Sequence, residues 1–292
     1  MNTLLFLLGP LINAVYYLYS KACSYEKLNI LNSYETIESI INDKLSISRF
    51  GDGEMKIIRG HGIGFQKYSL ELSSRLQEVL QSNMKKHMVC VLHIIRGDFD
   101  MYKPSSVLFW KYNMLRTRKN WIKHLSQSAT YGDSLFTRFY VDVGDKSYST
   151  KMIGLIKEIW NNRDILIVEG YQSRLGVGND LFQNAKSIER ILCPAKDSYG
   201  SYETILDKTL KYCENKLVLI ALGPTASILA YDLSRKGYQA VDIGHVDIEY
   251  EWYLMGTDKK TPVKGKYVNE CHSDGGEISD QVYSAQIIEV IN

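Results

Sequence analysis

From residue 150 to residue 243 the chain alternates between helix-spaced and strand-like segments, and this alternation restricts the fold more than any other feature. Helix 150–160 precedes strand 164–168, and helix 180–185 precedes strand 188–193. The rhythm continues with helix 202–213, strand 217–222, helix 225–236 and strand 239–243. Continuous apolar strands separated by helices predict an α/β fold: Rossmann-like, doubly wound, with a mostly parallel sheet and helices on both faces. Ligands of such sheets lie beyond the carboxyl ends of the strands. Upstream, 33–44 reads as a helix capped by Ser33, 45–50 as a strand, 70–86 as a helix and 88–95 as a buried strand. Short helices are expected within 107–124, and the polar tail from Gly256 is expected to wrap the sheet.

A length of 292 residues with 45% hydrophobic and 23% charged side chains suits one well-packed domain, here 31–292, and leaves little room for disorder. A net charge of +2 speaks against a nucleic-acid partner, and a solvated helix face accounts for the local run Arg116-Thr117-Arg118-Lys119. Five scattered cysteines (Cys23, Cys90, Cys193, Cys213, Cys271) contain no C-x-x-C pair, which argues against a zinc site and for the cytoplasm. Residues 1–30 form an apolar segment without a signal-peptide n-region or cleavage site. Pro10 and Asn13 weaken it as a bilayer span. Three readings stand open: a peripheral contact with the inner face of the cell membrane, a helix docked on the protein's own core, or a homodimer contact.

Four clusters carry candidate chemistry, each at a strand end. In 49–54, Gly51 and Gly53 flank Asp52, so the backbone can turn sharply and approach a ligand. Asp52 and Glu54 can converge on a divalent cation shared with substrate phosphates, and Arg49 can pair with a phosphate. A glycine-rich turn with solvated acids accounts for the same residues. In 169–180, Glu169 ends a strand, and Arg174, Gly176, Gly178, Asn179 and Asp180 lead toward the next helix. Exposed N–H groups there make an anion site, although neither a G-x-G-x-x-G nor a Walker sequence is present. Gly223-Pro224-Thr225 starts a helix at a strand end, as a cap or as a phosphate cradle. In 242–252 a second D-x-E, Asp247 and Glu249, stands beside His245 and Trp252. These groups suit metal binding, sugar hydroxyls or general-base work.

Taken in order, the segments 48–54, 136–138, 167–170, 173–182, 222–226 and 242–252 resemble the bacterial GT-D class of glycosyltransferases, first described as a domain of unknown function. The likeness runs from about residue 35 to 290, nearly the whole chain outside its apolar start. It implies a Rossmann-like fold, a UDP-sugar donor, and manganese or magnesium held by Asp52 and Glu54. It also implies a glycan or lipid-linked oligosaccharide acceptor. By position, Arg49, Gly51, Glu169, Arg174, Gly178, Asn179, Gly223 and Thr225 become candidate donor ligands. Asp247, Glu249 and His245, in that order, are the candidates for the base of an inverting transfer. The second D-x-E also remains open as the metal pair. Two rivals use the same groups: a metal-dependent phosphohydrolase or nucleotidyltransferase, and a non-catalytic nucleotide-sugar binding module.

Overall fold

Helix α1 (Gly9–Ala22) leads into β1 (Asn29–Ile30), α2 (Ser33–Asn42), β2 (Ser46–Arg49), α3 (Asp52–Ile58) and α4 (Leu70–Leu80). Next come β3 (His87–Val91), α5 (Pro104–His124), β4 (Thr130–Asp133), α6 (Lys146–Glu158), β5 (Asp164–Gly170) and β6 (Ser187–Cys193). The chain then forms α7 (Tyr202–Tyr212), β7 (Leu217–Ala221), α8 (Pro224–Arg235), β8 (Ala240–Asp242), α9 (Val246–Met255), α10 (Gln281–Gln286) and β9 (Ile287–Val290). The structure, a computed structural model, describes residues 7–22, 28–268, 271, 276 and 280–292. Residues 1–6 of the apolar start, Cys23 and parts of the tail lie outside the described residues.

The strands form one nine-stranded sheet in the order β1-β4-β3-β2-β8-β7-β5-β6-β9. Every neighbouring pair is parallel, so the expected mostly parallel sheet is parallel throughout. Side chains alternate across it. Leu166, Val168, Val218 and Ile220 pack on one face with α3, α4, α5, α7 and α8. Ile165, Ile167, Leu217 and Leu219 pack on the other with α2, α6 and α9. A sheet covered on both sides must be apolar at consecutive positions, and that is why these strands read as unbroken hydrophobic runs.

Several expected elements differ. The expected helix 180–185 is a series of turns. Trp160 Nε1 donates to the Leu181 carbonyl at 3.0 Å and Asn162 N to the Asn184 carbonyl at 2.8 Å, so groups outside the segment hold backbone that a helix would have satisfied itself. The expected strand 88–95 pairs only to Val91 and continues as a 3₁₀ turn, His93–Arg96. The expected helix 70–86 stops at Leu80. The short helices expected within 107–124 are one 21-residue helix that begins at Pro104, where a missing N–H costs nothing. The tail contributes β9 as an edge strand beside β6. Within the cluster 242–252, the second D-x-E falls in the first turn of α9.

The apolar start docks on the protein itself. Ile12 and Tyr16 of α1 are buried, the Tyr16 ring meets Phe99 edge-on at 5.5 Å, and Lys111 of α5 donates to Asn13 Oδ1 at 2.8 Å. No helix among the described residues is long and apolar enough to cross a membrane.

Candidate active site

The carboxyl ends of the strands open into a cleft of about 1480 Å³. Its floor is made by residues at or just past the strand ends: Arg49, Leu92, Ser134, Gly170, Ala221 and Asp242. That is larger than the ~300–1,000 Å³ of a typical small-ligand pocket, with space for two substrates. One wall is the start of α3 and the glycine-rich loop 62–66, and the opposite wall is the start of α5 with segments 138–142 and 258–260.

Arg49 occupies the centre of the floor. Its Nε donates to the Asp242 carbonyl at 2.9 Å, its Nη2 to Asp242 Oδ1 at 3.0 Å, and its Nη1 to Ser134 O at 3.1 Å and Thr137 Oγ1 at 2.7 Å. One guanidinium thus ties together β2, β8 and the segment after β4. Gly244 makes room for it: φ is +42° there, and any Cβ would collide with the guanidinium. Burial raises the Asp242 carboxyl above the usual range, while Arg49 pulls it back down.

Asp52 and Glu54 start α3 at the cleft wall. Both acids sit in the first turn, where the unpaired N–H groups favour negative charge. Glu54 Oε2 accepts the Gly51 N–H at 2.8 Å, the reciprocal arm of a capping box. Burial pushes its carboxyl up to about 7, and the charges of Asp242 and Asp52 add to that. Asp52 stays half exposed and pairs with Lys56 at 3.2 Å.

The loop 62–66 was not singled out by sequence reasoning, although glycines at 60, 62 and 64 beside Phe65 were a readable signal. It is fastened from outside: Asp197 N donates to Phe65 O at 2.7 Å and Gln66 Nε2 to Asp197 Oδ1 at 2.6 Å. The Phe65 ring lies against Gly223, whose φ is +54°; a Cβ there would come within 2.5 Å of the ring. Thr225 is buried one turn away, with Oγ1 3.5 Å from Gln66 Oε1.

The other expected site residues turn inward. Asp247 is fully buried and accepts from Lys266 Nζ at 2.7 and 2.9 Å, from Gly176 N at 2.9 Å and from Asn179 Nδ2 at 2.9 Å. Lys266 also reaches Glu251 at 2.7 Å. Arg174 Nη1 donates to the carbonyls of Gly265 and Gly276, each at 2.7 Å. Glu169 pairs with buried Arg190 at 2.6 Å and accepts Leu175 N at 2.8 Å. Gly178 supplies a turn at φ +79°. The loop 171–180 is therefore stapled to α9 and to the segment around 266, and Glu169, Arg174, Gly178 and Asn179 do not line the cleft. Nor do Thr225, Asp247 and Glu249.

Asp247 and Glu249, expected near an acceptor, are fully buried and held by protein partners rather than exposed in the cleft. Glu249 Oε2 accepts from Tyr140 N at 3.0 Å and Val141 N at 2.9 Å. Its Oε1 stands 3.8 Å from Arg138 Nη1, and burial pushes its carboxyl up to about 7. Arg138 does line the cleft, so Glu249 sits behind it. Of the sequence candidates, the cleft brings together Arg49, Gly51, Asp52, Glu54, Gly223 and His245. It adds Arg138 from the segment 136–138, and cations that were not singled out: Lys56, Lys103, Lys259 and Lys260.

Comparison with known proteins follows from this geometry. The family described as "Glycosyltransferase GT-D fold" matches residues 47–271. A "Probable glycosyl transferase Gly" of Streptococcus gordonii is 38% identical over 267 residues, covering 90% of this chain and 39% of that protein. "Glycosyltransferase GlyD" of Streptococcus pneumoniae serotype 4 is 38% identical over 256 residues, covering 87% of this chain and 31% of that protein. The chain thus spans well under half the length of these curated relatives. A solved structure described as the highly conserved domain of unknown function 1792, with a distinct glycosyltransferase fold, superposes at a TM-score of 0.87 and 39% identity. The match covers 92% of this chain and 97% of that one. Another, described as a new glycosyltransferase from Streptococcus sanguinis, matches at a TM-score of 0.87 and 35% identity, over 91% and 100% of the two chains.

Proposed function

The chain belongs to the glycosyltransferase GT-D fold family, and on that premise we propose that it transfers a hexose from a UDP-sugar to a hydroxyl of a glycan acceptor in the cytoplasm, with a divalent cation. The observation that carries the reading is the large cleft at the strand ends, with acids on the α3 wall and cations around it. The sheet topology makes this the expected ligand crevice.

Among the described residues no group of three or more His, Cys, Asp or Glu is arranged to hold a metal alone. Manganese or magnesium is commonly held by one or two carboxylates, with phosphate oxygens and water completing the shell. Asp52 and Glu54 fit that partial donor set: Glu54 is desolvated beside two further acids, which raise its carboxyl and favour a nearby cation. These two residues would hold the ion, and when bound it supplies charge stabilisation to the departing diphosphate.

The chain's own residues supply the rest. Lys56 and Arg138 on the cleft wall place positive charge where a diphosphate gathers negative charge. Arg49, with its donors engaged by protein, holds the floor rigid. Phe65, backed against Gly223, offers a ring face to a base or sugar. His245, at the N-cap of α9, lines the cleft, which supports assigning the proton-accepting role to it rather than to Asp247 or Glu249. In the transfer, the bond from the anomeric carbon to the diphosphate oxygen breaks and a bond to the acceptor oxygen forms. The hydroxyl proton passes to the His245 imidazole, and UDP leaves.

The test is UDP release across a panel of nucleotide sugars, with manganese or chelator, for the wild type and Asp52→Ala. Manganese-dependent release that is lost in the variant supports the reading. No turnover or binding of any nucleotide sugar refutes it.

A further inference from the structure

Helices α1 and α5 form a layer whose charge differs from the rest of the protein. Six of the 35 Lys and Arg lie on these two helices with none of the 33 Asp and Glu, which leaves the remainder of the chain with 29 against 33, a net −4. A neutral-looking total therefore conceals a basic layer, whose Arg118 is buried against Ile95 O while Arg116, Lys119 and Lys123 are exposed.

The patch has a direction. Helix α1 docks through Gly9, Ile12 and Tyr16, all buried. Gly9 faces Leu108, Asn13 bonds to Lys111, and Lys111 also stands 5.7 Å from the Tyr16 ring centroid, so the two helices run parallel. One residue before each docked position on α1 come Leu8, Leu11 and Val15, with Leu18 continuing the stripe; Leu11 is 60% and Leu18 67% exposed. One residue after the docked positions on α5 the exposed side chains are Phe109, Tyr112, Arg116, Lys119 and Lys123. Each step is a rotation of about 100°. In parallel helices that face each other, one step back on the first and one step forward on the second turn to the same side. The aliphatic stripe and the aromatic–cationic stripe therefore share a face.

We propose that this face docks the protein on an anionic lipid bilayer. An aliphatic stripe enters the acyl boundary, Phe109 and Tyr112 suit the headgroup level, and Arg116, Lys119 and Lys123 meet lipid phosphates. Neither helix carries an acid, and among the described residues neither is long and apolar enough to span a membrane. A second copy of the chain fits poorly here, because an isologous contact would bring two cationic stripes together. Phe109 also lines the cleft, so the docked face adjoins the cleft mouth. It follows, on the transferase reading, that the acceptor enters from the lipid surface.

Flotation with vesicles of phosphatidylcholine plus phosphatidylglycerol, or of phosphatidylcholine alone, tests the docking without any substrate. The wild type floats with the anionic vesicles. Each surface cation contributes about fivefold to partitioning, so Arg116→Gln/Lys119→Gln/Lys123→Gln partitions about a hundredfold more weakly. Leu11→Glu/Leu18→Glu stays at the bottom of the gradient. Both variants release UDP in solution like the wild type, so loss of docking and loss of the enzyme reading are separate results. The proposal is overturned if the wild type fails to float, if neutral and anionic vesicles bind alike, or if the cation variant floats unchanged. A dimer in sedimentation that Leu11→Glu/Leu18→Glu dissolves, without vesicle binding, would assign the face to a second copy instead.

Discussion

Replacing Glu249 by glutamine should remove a pH dependence of stability that has one identifiable source. The Glu249 carboxyl is fully buried; one oxygen takes two backbone N–H groups and the other has no hydrogen-bond partner among the described residues. Burial raises it from 4.5 to about 7, against the pull of Arg138 and the N–H groups. Because the folded value lies above the unfolded one, the folded protein holds this proton more tightly. The associated stability is complete below about pH 4.5, fades as pH rises and is gone above about pH 7. At 1.36 kcal/mol per unit, a shift of this size corresponds to about 3 kcal/mol. Glutamine keeps an acceptor for Tyr140 and Val141 and carries no proton to lose. In urea unfolding at pH 5, 6, 7 and 8, the stability of wild type relative to Glu249→Gln should therefore fall by about 2.5 kcal/mol across the series, the rest having been lost below pH 5. Other raised acids, such as Glu54, contribute equally to both proteins and cancel in the difference. A constant difference over this range would mean that Arg138 already holds Glu249 ionised, and the desolvation argument would fail.

The remaining predictions concern the staple beneath the cleft and the proton acceptor. Lys266→Met leaves Asp247 buried without its cation and should cost about 3–5 kcal/mol in urea unfolding, with part recovered in Lys266→Met/Asp247→Asn. His245→Asn should lower kcat about 10²- to 10⁴-fold with little change in donor KM, as read by steady-state UDP release; an unchanged kcat removes His245 from the chemistry.

The parallel core was legible because it is built from consecutive apolar positions, and 164–168, 188–193 and 217–222 announce themselves without reference to anything distant. The edge strands were not. Asn29–Ile30 and Thr130–Asp133 are two and four residues long, and Ile287–Val290 follows a helix without a break. Their pairing depends on a neighbour already in place, which no local pattern encodes. The turns at 180–185 misled for the opposite reason: Leu181, Phe182 and Ala185 carry helical spacing, but contacts with distant residues such as Trp160 and Asn162 hold the backbone elsewhere.

For the site, the two D-x-E pairs make the same point in sharper form. Asp52 and Glu54, like Asp247 and Glu249, are acids in a helix's first turn just after a strand, so spacing and capping chemistry cannot separate them. What separates them is the company each keeps. In α9 the acids alternate with Val246, Ile248, Tyr250 and Trp252, which puts apolar residues on two opposite sides of the helix and so draws it into the core. An acid in such a helix must find a cation or a cluster of N–H groups inside the protein. Lys266 and Arg138 answer that demand from 19 residues downstream and 111 upstream. Helix α3 keeps Asp52 and Lys56 half exposed on one side, so its first-turn acids meet the cleft. The two-sided apolar character of 246–252 was readable in advance. It is the physical reason to look for a structural partner for Asp247 before giving it a chemical task.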